Sequence, residues 1–403
     1  MSAKRICVVG GGFAGVAAAR TILDRYSDLR VTLVDRTGLA TMVPALPDVL
    51  SGRVSKEAFA RPLVEVFRRH TPDRFSLATD EITGIDLAER KLTGNEGTYQ
   101  YDGLVVATGS TPEYYGFAPE NGRLHTVHTL TAALAFRDAV ARRLEKGPVE
   151  VIVVGGGYTG LEVAASLRKG AKSGAHRLGI TVVEAAPEVV TFLDAKIRQR
   201  IADYFAGLDI PIRTGTTLKE YADETAVLSD GSRVEKCLVC WSAGMRAPET
   251  KISGALEREK DGRICVSEHL QLPGHPEVFV AGDTAALEKE GRVLRRAVNF
   301  SYYSGKAAGR NVAAYLSGKR LRPFRPIDLG WIIPLGDVST GRIFGSMRVG
   351  DAFGLRLHYT MCGFRHFGAK EAWEFYRTAL HLGRSPEPLS SPSSRPESGP
   401  APG

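Results

Sequence analysis

Two rhythms of apolar and polar positions divide the chain. The first is a short apolar run closed by glycine. Ile6-Cys7-Val8-Val9 runs without a polar residue and stops at Gly10-Gly11-Gly12. A run that short predicts a strand buried on both faces, then a turn. Small and apolar residues recur from Ala14 to Leu23, which predicts a helix with small residues on its early face. "RVTLVD", residues 30–35, completes a βαβ unit. From 74 to 101 the alternation is weak and turn signals such as "LTGNEG" intervene, so a small antiparallel meander is expected. "YDGLVVATGS", residues 101–110, predicts another buried strand ending at a glycine.

The pattern then restarts. "VEVIVV" predicts a strand, Gly155 to Gly157 a turn, Tyr158 to Lys169 a helix, and "GITVVEA" a strand. "KCLVCWSAG", residues 236–244, echoes the strand that ends "VVATG". "EVFVAGDTA", residues 277–285, is a further strand, and Ser304 to Ser317 a helix. The strand at 277 has no natural place in the second half, so the second unit is inserted in the first. The expected fold class is α/β, with two Rossmann-like dinucleotide-binding domains and a C-terminal α/β segment. The outer domain is expected over 1–115 and 273–325, and the inserted one over 145–272. A C-terminal membrane- or dimer-interaction segment follows over 326–384, and a Pro/Ser-rich disordered tail over 385–403.

The two glycine turns carry the chemistry. Gly10-x-Gly12-x-x-Gly15, with Phe13 and Ala14 between, is a dinucleotide fingerprint. Its first glycine permits the turn, its second lets backbone approach a pyrophosphate, and its third lets helix and strand pack closely. The helix N-terminus offers free N–H groups to the phosphates. Asp35 closes the next strand, 20 residues after Gly15, where a carboxylate can bind ribose hydroxyls. Arg36 follows it. The second copy, Gly155-x-Gly157-Tyr158-Thr159-Gly160, repeats every element, with Glu184 ending its second strand after a basic insertion, "KGAKSGAHR". A carboxylate there accepts from a ribose 2′-hydroxyl and repels a 2′-phosphate. Ala185 and Ala186, not arginine, follow it, which favours NADH over NADPH. Two such sites suit one resident and one visiting dinucleotide, naturally FAD and NADH.

Charge and cysteine content narrow the alternatives. Lys and Arg number 53 against 45 Asp and Glu, but the basic residues are dispersed, so no nucleic-acid partner is expected. Five cysteines are too few for a secreted disulfide scaffold. No signal peptide and no 18-residue apolar stretch is visible, so the chain reads as cytoplasmic, able at most to touch the inner face of the cell membrane. The nine histidines, His176 and His381 among them, are scattered without metal-ligand spacing, so no metal is expected.

These residues resemble the two-dinucleotide flavoproteins, the pyridine-nucleotide oxidoreductases, over roughly residues 4 to 320. "ATGS" at 107–110, hence Ala107, Thr108 and Gly109, and "VFVAGDTA" at 278–285 look like that family's further flavin motifs. The resemblance implies that Gly282 and Asp283 meet FAD, with Asp283 on the ribityl chain. The subfamily it most resembles is the type II NADH dehydrogenases, on "MVPALPDVLSGRVS" at 42–55, "CWSAGMRAPE" at 240–249 and "GKRLRPF" at 318–324. By that likeness Val43 lies beside the isoalloxazine, Gly244 near the cofactors and Glu162 near the nicotinamide, and a quinone is the acceptor. Two glutamines usually face the quinone; Asn299 and Tyr303 stand at those positions here. Tyr302 and Tyr303 can equally be packing residues.

Residues 36 to 70 contain no Cys, which removes the disulfide-reductase reading. Cys237 and Cys240 fall in a strand pattern, three apart and on opposite faces, where a local disulfide fits poorly. Cys362 alone is not enough for sulfide chemistry. Residues 368–382, "GAKEAWEFYRTALHL", predict an amphipathic helix, which can dock on a membrane or pack in a homodimer. A ferredoxin-reductase-like or sulfide:quinone-like reaction and a flavin-bound redox sensor stay open as alternatives. The protein purified in the dark should be yellow and release FAD on denaturation; colourless protein that takes up no FAD overturns the reading of the first fingerprint.

Overall fold

The computed structural model describes residues 3–52, 59–117, 124–171, 177–368 and 373. The helix expected at 368–382 and the tail therefore lie outside the described residues, apart from Gly368 and Trp373, and so do His176 and His381. Among the described residues the two expected βαβ units are present. Lys4–Val9 pairs in parallel with Leu29–Asp35 and with Gly103–Val106, and the helix Phe13–Arg25 connects the first two strands. Val149–Val154 pairs in parallel with Leu178–Val183 and with Cys237–Trp241, with the helix Tyr158–Gly170 as crossover. The second unit therefore sits on the same internal frame as the first.

The outer sheet has six strands. Its spatial order runs from Gln271–Leu272 through His275–Val280, Gly103–Val106, Lys4–Val9 and Leu29–Asp35 to Phe75–Thr79. His275–Val280 pairs in parallel with Gly103–Val106, so after Cys237–Trp241 the chain returns to the outer sheet. Two expectations need correction. Phe75–Thr79 does not belong to the meander; it joins the parallel sheet beside Leu29–Asp35, and only Ile82–Gln100 forms antiparallel pairs. The inserted domain also ends earlier than residue 272. Lys251–Ile252 pairs with Ile82–Asp86, Ile264–Cys265 with Ala285–Ala286, and Gln271–Leu272 with His275–Val280. Strands of two to five residues carry too little periodicity to reveal their partners.

Glycine sets how closely the layers approach. The helix Val298–Leu316, which starts six residues before the expected Ser304, lies against Phe13–Arg25. A Cβ on Gly305 would overlap the Ala14 carbonyl oxygen, and one on Gly309 would come 2.8 Å from the Ala18 Cα. The two backbones touch because those positions have no side chain. The buried core around Ile6, Val8, Leu33 and Leu104 continues into Val151, Val153 and Ile180 of the inserted domain. Strand Cys237–Trp241 is buried on both faces, with Cys240 in this core and Cys237 in a second one around Trp241. All five cysteines are free thiols.

A C-terminal unit closes the fold, as expected for an α/β segment. Gly330–Leu335, Val338–Ile343 and Met347–Gly350 form an antiparallel sheet, followed by the helix Asp351–Phe367. It touches both domains. Tyr204 donates to the Leu335 carbonyl at 2.6 Å, Lys169 meets Asp337 at 3.1 Å and Arg342 meets Asp194 at 2.8 Å on the inserted side. On the outer side Arg20 donates to the Phe367 carbonyl at 2.7 Å. Gly305→Ala is expected to cost about 1–3 kcal/mol by forcing the two helices apart. An unchanged thermal midpoint would show that the helix contact is looser than described.

Candidate functional site

Each fingerprint turn is built the same way. Gly10 and Gly155 sit at φ +104° and +108°, a region closed to side chains. A Cβ on Gly15 would overlap the Gly10 carbonyl oxygen, and one on Gly160 the Gly155 oxygen, so each helix begins directly on its turn. Nothing stands within 4 Å of where a Cβ on Gly12 or Gly157 would lie, so both turns open outward. Neither helix has a side-chain cap, which leaves first-turn N–H groups for an anion. These features fit a bound pyrophosphate.

The acids that close the second strands are held alike. Asp35 Oδ2 accepts from Gly11 N at 2.7 Å, and Oδ1 from Thr37 N, Thr37 Oγ1 and Gly38 N at 2.8, 2.7 and 3.0 Å. Glu184 Oε2 accepts from Gly156 N at 2.6 Å and Oε1 from Ala186 N at 2.8 Å. Each turn thus orients its own carboxylate beside the anion cradle. Asp35 Oδ2 and both Glu184 oxygens each accept one of these bonds and have room for a further donor such as a ribose hydroxyl.

In front of the first turn lies a cleft of about 570 Å³, within the range of cofactor sites. Gly10, Gly12, Phe13, Ala14, Asp35, Arg36, Val43, Ala107, Thr108, Gly109, Gly282 and Asp283 line it, all named by the sequence. From the inserted domain Thr159, Glu162 and Gly244 join them, so the cleft spans both domains. Gly155, Gly157, Tyr158, Gly160 and Glu184 lie outside its lining. Tyr158 instead packs edge-on against Phe192 at 5.1 Å and near Trp331 at 6.0 Å, so its side chain is a packing group.

Asp283 is positioned by neighbours that the sequence did not single out. Ser301 Oγ donates to its Oδ1 at 2.8 Å and Ser110 Oγ to its Oδ2 at 3.2 Å. Gly282 N donates to Ser304 Oγ at 3.0 Å, while Thr284 donates to the Gly109 carbonyl at 2.9 Å. These bonds join the motif at 107–110 to the one at 278–285 and to the helix Val298–Leu316. No sequence signal separates such serines from surface ones.

Asn299 and Tyr303 are not among the cleft-lining residues. The Asn299 amide is buried; its Nδ2 donates to the Ile327 carbonyl at 2.5 Å, and its Oδ1 accepts from Arg365 at 3.3 Å. It ties the helix to the C-terminal unit instead of facing the cleft. Tyr303 is 38% exposed and packs edge-on against Tyr302 at 5.1 Å, the packing alternative raised from the sequence. The segment Val43–Val49 keeps its place, with Val43, Pro44 and Pro47 in the lining.

At this wall stands an unusual half-buried carboxyl. Glu162 comes from the first turns of Tyr158–Gly170, which packs on Val43–Val49. Burial, reinforced by Asp48, pushes its carboxyl well above the usual carboxylate range. Asp48 is itself buried and accepts a hydrogen bond from the Tyr359 hydroxyl of the C-terminal helix. Burial pushes the nearby Cys362 thiol up to about 12. His366 stacks on Phe13 at 4.3 Å, and neither of its ring nitrogens has a hydrogen-bond partner. Burial lowers it to about 3, so the ring is neutral. Among the described residues no group of three potential metal ligands comes together.

The family model of the pyridine nucleotide-disulphide oxidoreductases matches residues 4–302. The chain belongs to that family. It is an oxidoreductase that uses FAD and a pyridine nucleotide, and its two fingerprints fall within the matched span. The type II NADH:quinone oxidoreductase Ndh of Mycobacterium tuberculosis is 28% identical over 365 residues, 81% of this chain and 76% of that protein. The type II NADH:quinone oxidoreductase of Staphylococcus aureus is 24% identical over 85% of this chain and 90% of its own length. Among solved structures, NDH2 of Plasmodium falciparum in complex with NADH aligns at a TM-score of 0.80 and 14% identity, over 96% and 99% of the two chains. The sulfide:quinone oxidoreductase of Aquifex aeolicus aligns at 0.74 and 17%, over 95% and 93%. At such identities the structures establish the fold alone.

Glu184→Ala should raise the KM for NADH by about tenfold or more, the loss of one hydrogen bond to a charged group. Bound flavin should stay at one per chain. Equal loss of both would contradict the division of the two turns between cofactors.

Proposed function

We propose that the protein is an NADH:quinone oxidoreductase of the type II, non-pumping kind. FAD is resident at the turn 10–15 and NADH visits the turn 155–160. The observation that carries the reading is a cleft that opens on both domains, with an apolar segment, Val43–Val49, forming part of its wall. The relatives named type II NADH:quinone oxidoreductase support it over most of the chain. Bound FAD supplies a ring system that takes two electrons as hydride and gives them up singly or in pairs. The chain supplies positioning. Gly10–Gly15 and Asp35 would hold the adenosine diphosphate part, and Asp283, fixed by Ser110 and Ser301, the ribityl chain. Glu184 would hold the NADH ribose, and Gly244 and Thr159 border the path of the nicotinamide.

The stoichiometry asks for one thing more. NADH and a quinone give NAD⁺ and a quinol only if a proton is added: NADH + H⁺ + Q → NAD⁺ + QH₂. Glu162, in the cleft lining with a carboxyl whose proton affinity desolvation raises, would hold that proton and be reloaded from water. The acceptor would enter beside Val43, Pro44 and Pro47.

No helix among the described residues is long and apolar enough to cross a membrane. Phe344, Met347 and Phe353 of the C-terminal unit are exposed, which supports a peripheral contact or a second copy of the chain at that end. Sulfide as donor gains no support, because the lone thiol near Glu162, Cys362, is buried and protonated.

Anaerobic NADH should bleach the bound flavin, and a soluble quinone should restore its colour within one mixing experiment. Bleaching without recovery would keep the reductase and remove the quinone. In Glu162→Gln the quinone-dependent step should fall by about 10²-fold, the scale of a lost general acid. NADPH should be a poorer donor than NADH.

A further inference from the structure

Among the described residues that line the cleft, the lysines and arginines are Arg36 and Arg296. Arg36 follows Asp35 at the ribose end and stands 4.0 Å from Glu81. Arg296 stands by the motif at 278–285, where it also borders a small second space together with Gly282 and Asp283. Acids outnumber these two cations, since Asp35, Asp80, Glu81, Glu162 and Asp283 line the same cleft. On the Asp283 side Arg296 is the cation of the lining.

Its surroundings leave that charge in excess. Arg296 Nη1 lies 3.0 Å from Asp261 Oδ2. The same oxygen lies 2.8 Å from Arg263 Nε, which also donates to Asp261 Oδ1 at 3.0 Å. Two guanidiniums share one carboxylate, so the three groups together carry one net positive charge. Burial raises the Asp261 carboxyl, but Arg263 and Arg296 outweigh it and hold the group below its ordinary value, so it is ionised in the neutral range. The Arg263 and Arg296 side chains are 14% and 19% exposed, which limits screening by salt. Arg296 Nε and Nη2 are buried and have no hydrogen-bond partner. The next cation along the chain, Arg295, is compensated by both oxygens of Asp328 at 2.5 and 2.9 Å. Asp283 is held by the Ser301 and Ser110 hydroxyls and makes no ion pair among the described residues.

We propose that Arg296, whose charge Asp261 only half neutralises, raises the reduction potential of the bound FAD. The inference rests on FAD residing in this cleft, and on neither NADH nor a quinone. The oxidised ring system is neutral. Two electrons from a reductant and one proton from water, FAD + 2e⁻ + H⁺ → FADH⁻, leave it with one negative charge. A fixed positive charge at the cleft wall stabilises that product and has little to act on in the neutral oxidised ring. Without Arg296 the negative charge would form facing Glu162 and Asp283 with no cation on their side of the lining. Arg296 breaks no bond and moves no proton in this role. It sets how readily the flavin accepts electrons.

The midpoint potential of the flavin-loaded protein, read against a reference dye during slow photochemical reduction, measures this with no NADH and no acceptor present. In Arg296→Gln the reduced form should be destabilised about tenfold relative to the oxidised form, the scale of one charge acting across a partly screened cleft. For a two-electron couple that is a fall of about 30 mV. Flavin content should stay at one per chain. Arg296→Lys keeps the charge and should stay close to wild type. Asp261→Asn removes the shared carboxylate and leaves both guanidiniums, so its potential should rise.

Opposite shifts in the Arg296 and Asp261 variants separate a charge effect from a structural one, because loss of the ion pair as a brace would disturb the flavin in the same direction in both. An unchanged potential in Arg296→Gln overturns the proposal. So does a fall in Arg296→Lys as large as the one in Arg296→Gln, or a fall in Asp261→Asn. If Arg296→Gln does not retain flavin, the direction of the Asp261→Asn shift decides alone. Protein that shows the expected shifts but is not reoxidised by quinones keeps this inference and loses the proposed acceptor.

Discussion

The whole arrangement depends on how near two backbones can come. At each fingerprint a helix begins directly on a strand's turn because Gly15 or Gly160 leaves no side chain between them. That approach aims a row of N–H groups outward and brings the acid of the next strand, Asp35 or Glu184, back onto the turn. The same rule operates once more where Gly305 and Gly309 let the helix Val298–Leu316 lie against Phe13–Arg25. That contact brings Ser301 and Ser304 to Asp283 and Gly282. A missing Cβ at a few positions therefore sets the distance between the first glycine turn and the motif at 278–285.

The inserted domain needs a fixed relation to the outer one, and the C-terminal unit supplies much of it. Its ion pairs with Asp194, Lys169 and Arg200 are partly exposed, and such pairs are each worth little. The firmer ties are the Tyr204 bond to the Leu335 carbonyl and the burial of Tyr359, Cys362 and His366 against the outer domain. Buried polar groups are costly unless partnered, so a helix that carries three of them inward is specified by its partners. His366, stacked on Phe13 without a hydrogen bond, is the exception, and aromatic stacking with shape alone holds it.

The sequence made the βαβ units legible because a glycine turn with its flanking strand, helix and acid is a local device. Every part of it lies within about thirty residues, the usual span of such a unit. The short strands were not legible in that way. Lys251–Ile252 and Ile264–Cys265 have two residues each, and only pairing with distant strands makes them strands. Phe75–Thr79 was legible as a strand but not as a neighbour of Leu29–Asp35. For the site, the motif stretches were found, with Ser110 and Asp48 inside them but not singled out, while Ser301 and Tyr359 were not, since a lone serine or tyrosine has no local signature.

The amino-acid order alone determined that the chain carries two nucleotide turns, which acid serves each, and that no cysteine pair stands beside the first. Those facts follow from residue spacing along one strand–turn–helix, where covalent distance fixes spatial distance. Only the tertiary structure decided that Asn299 faces Ile327 and Arg365 instead of the cleft, and that Tyr303 packs with Tyr302. It also decided that Tyr359 donates to Asp48 from the far end of the chain, and that the helix carrying Glu162 packs on the segment carrying Asp48. Helix rotation and domain packing are settled by the sum of many non-local contacts, and no short stretch of sequence contains that sum.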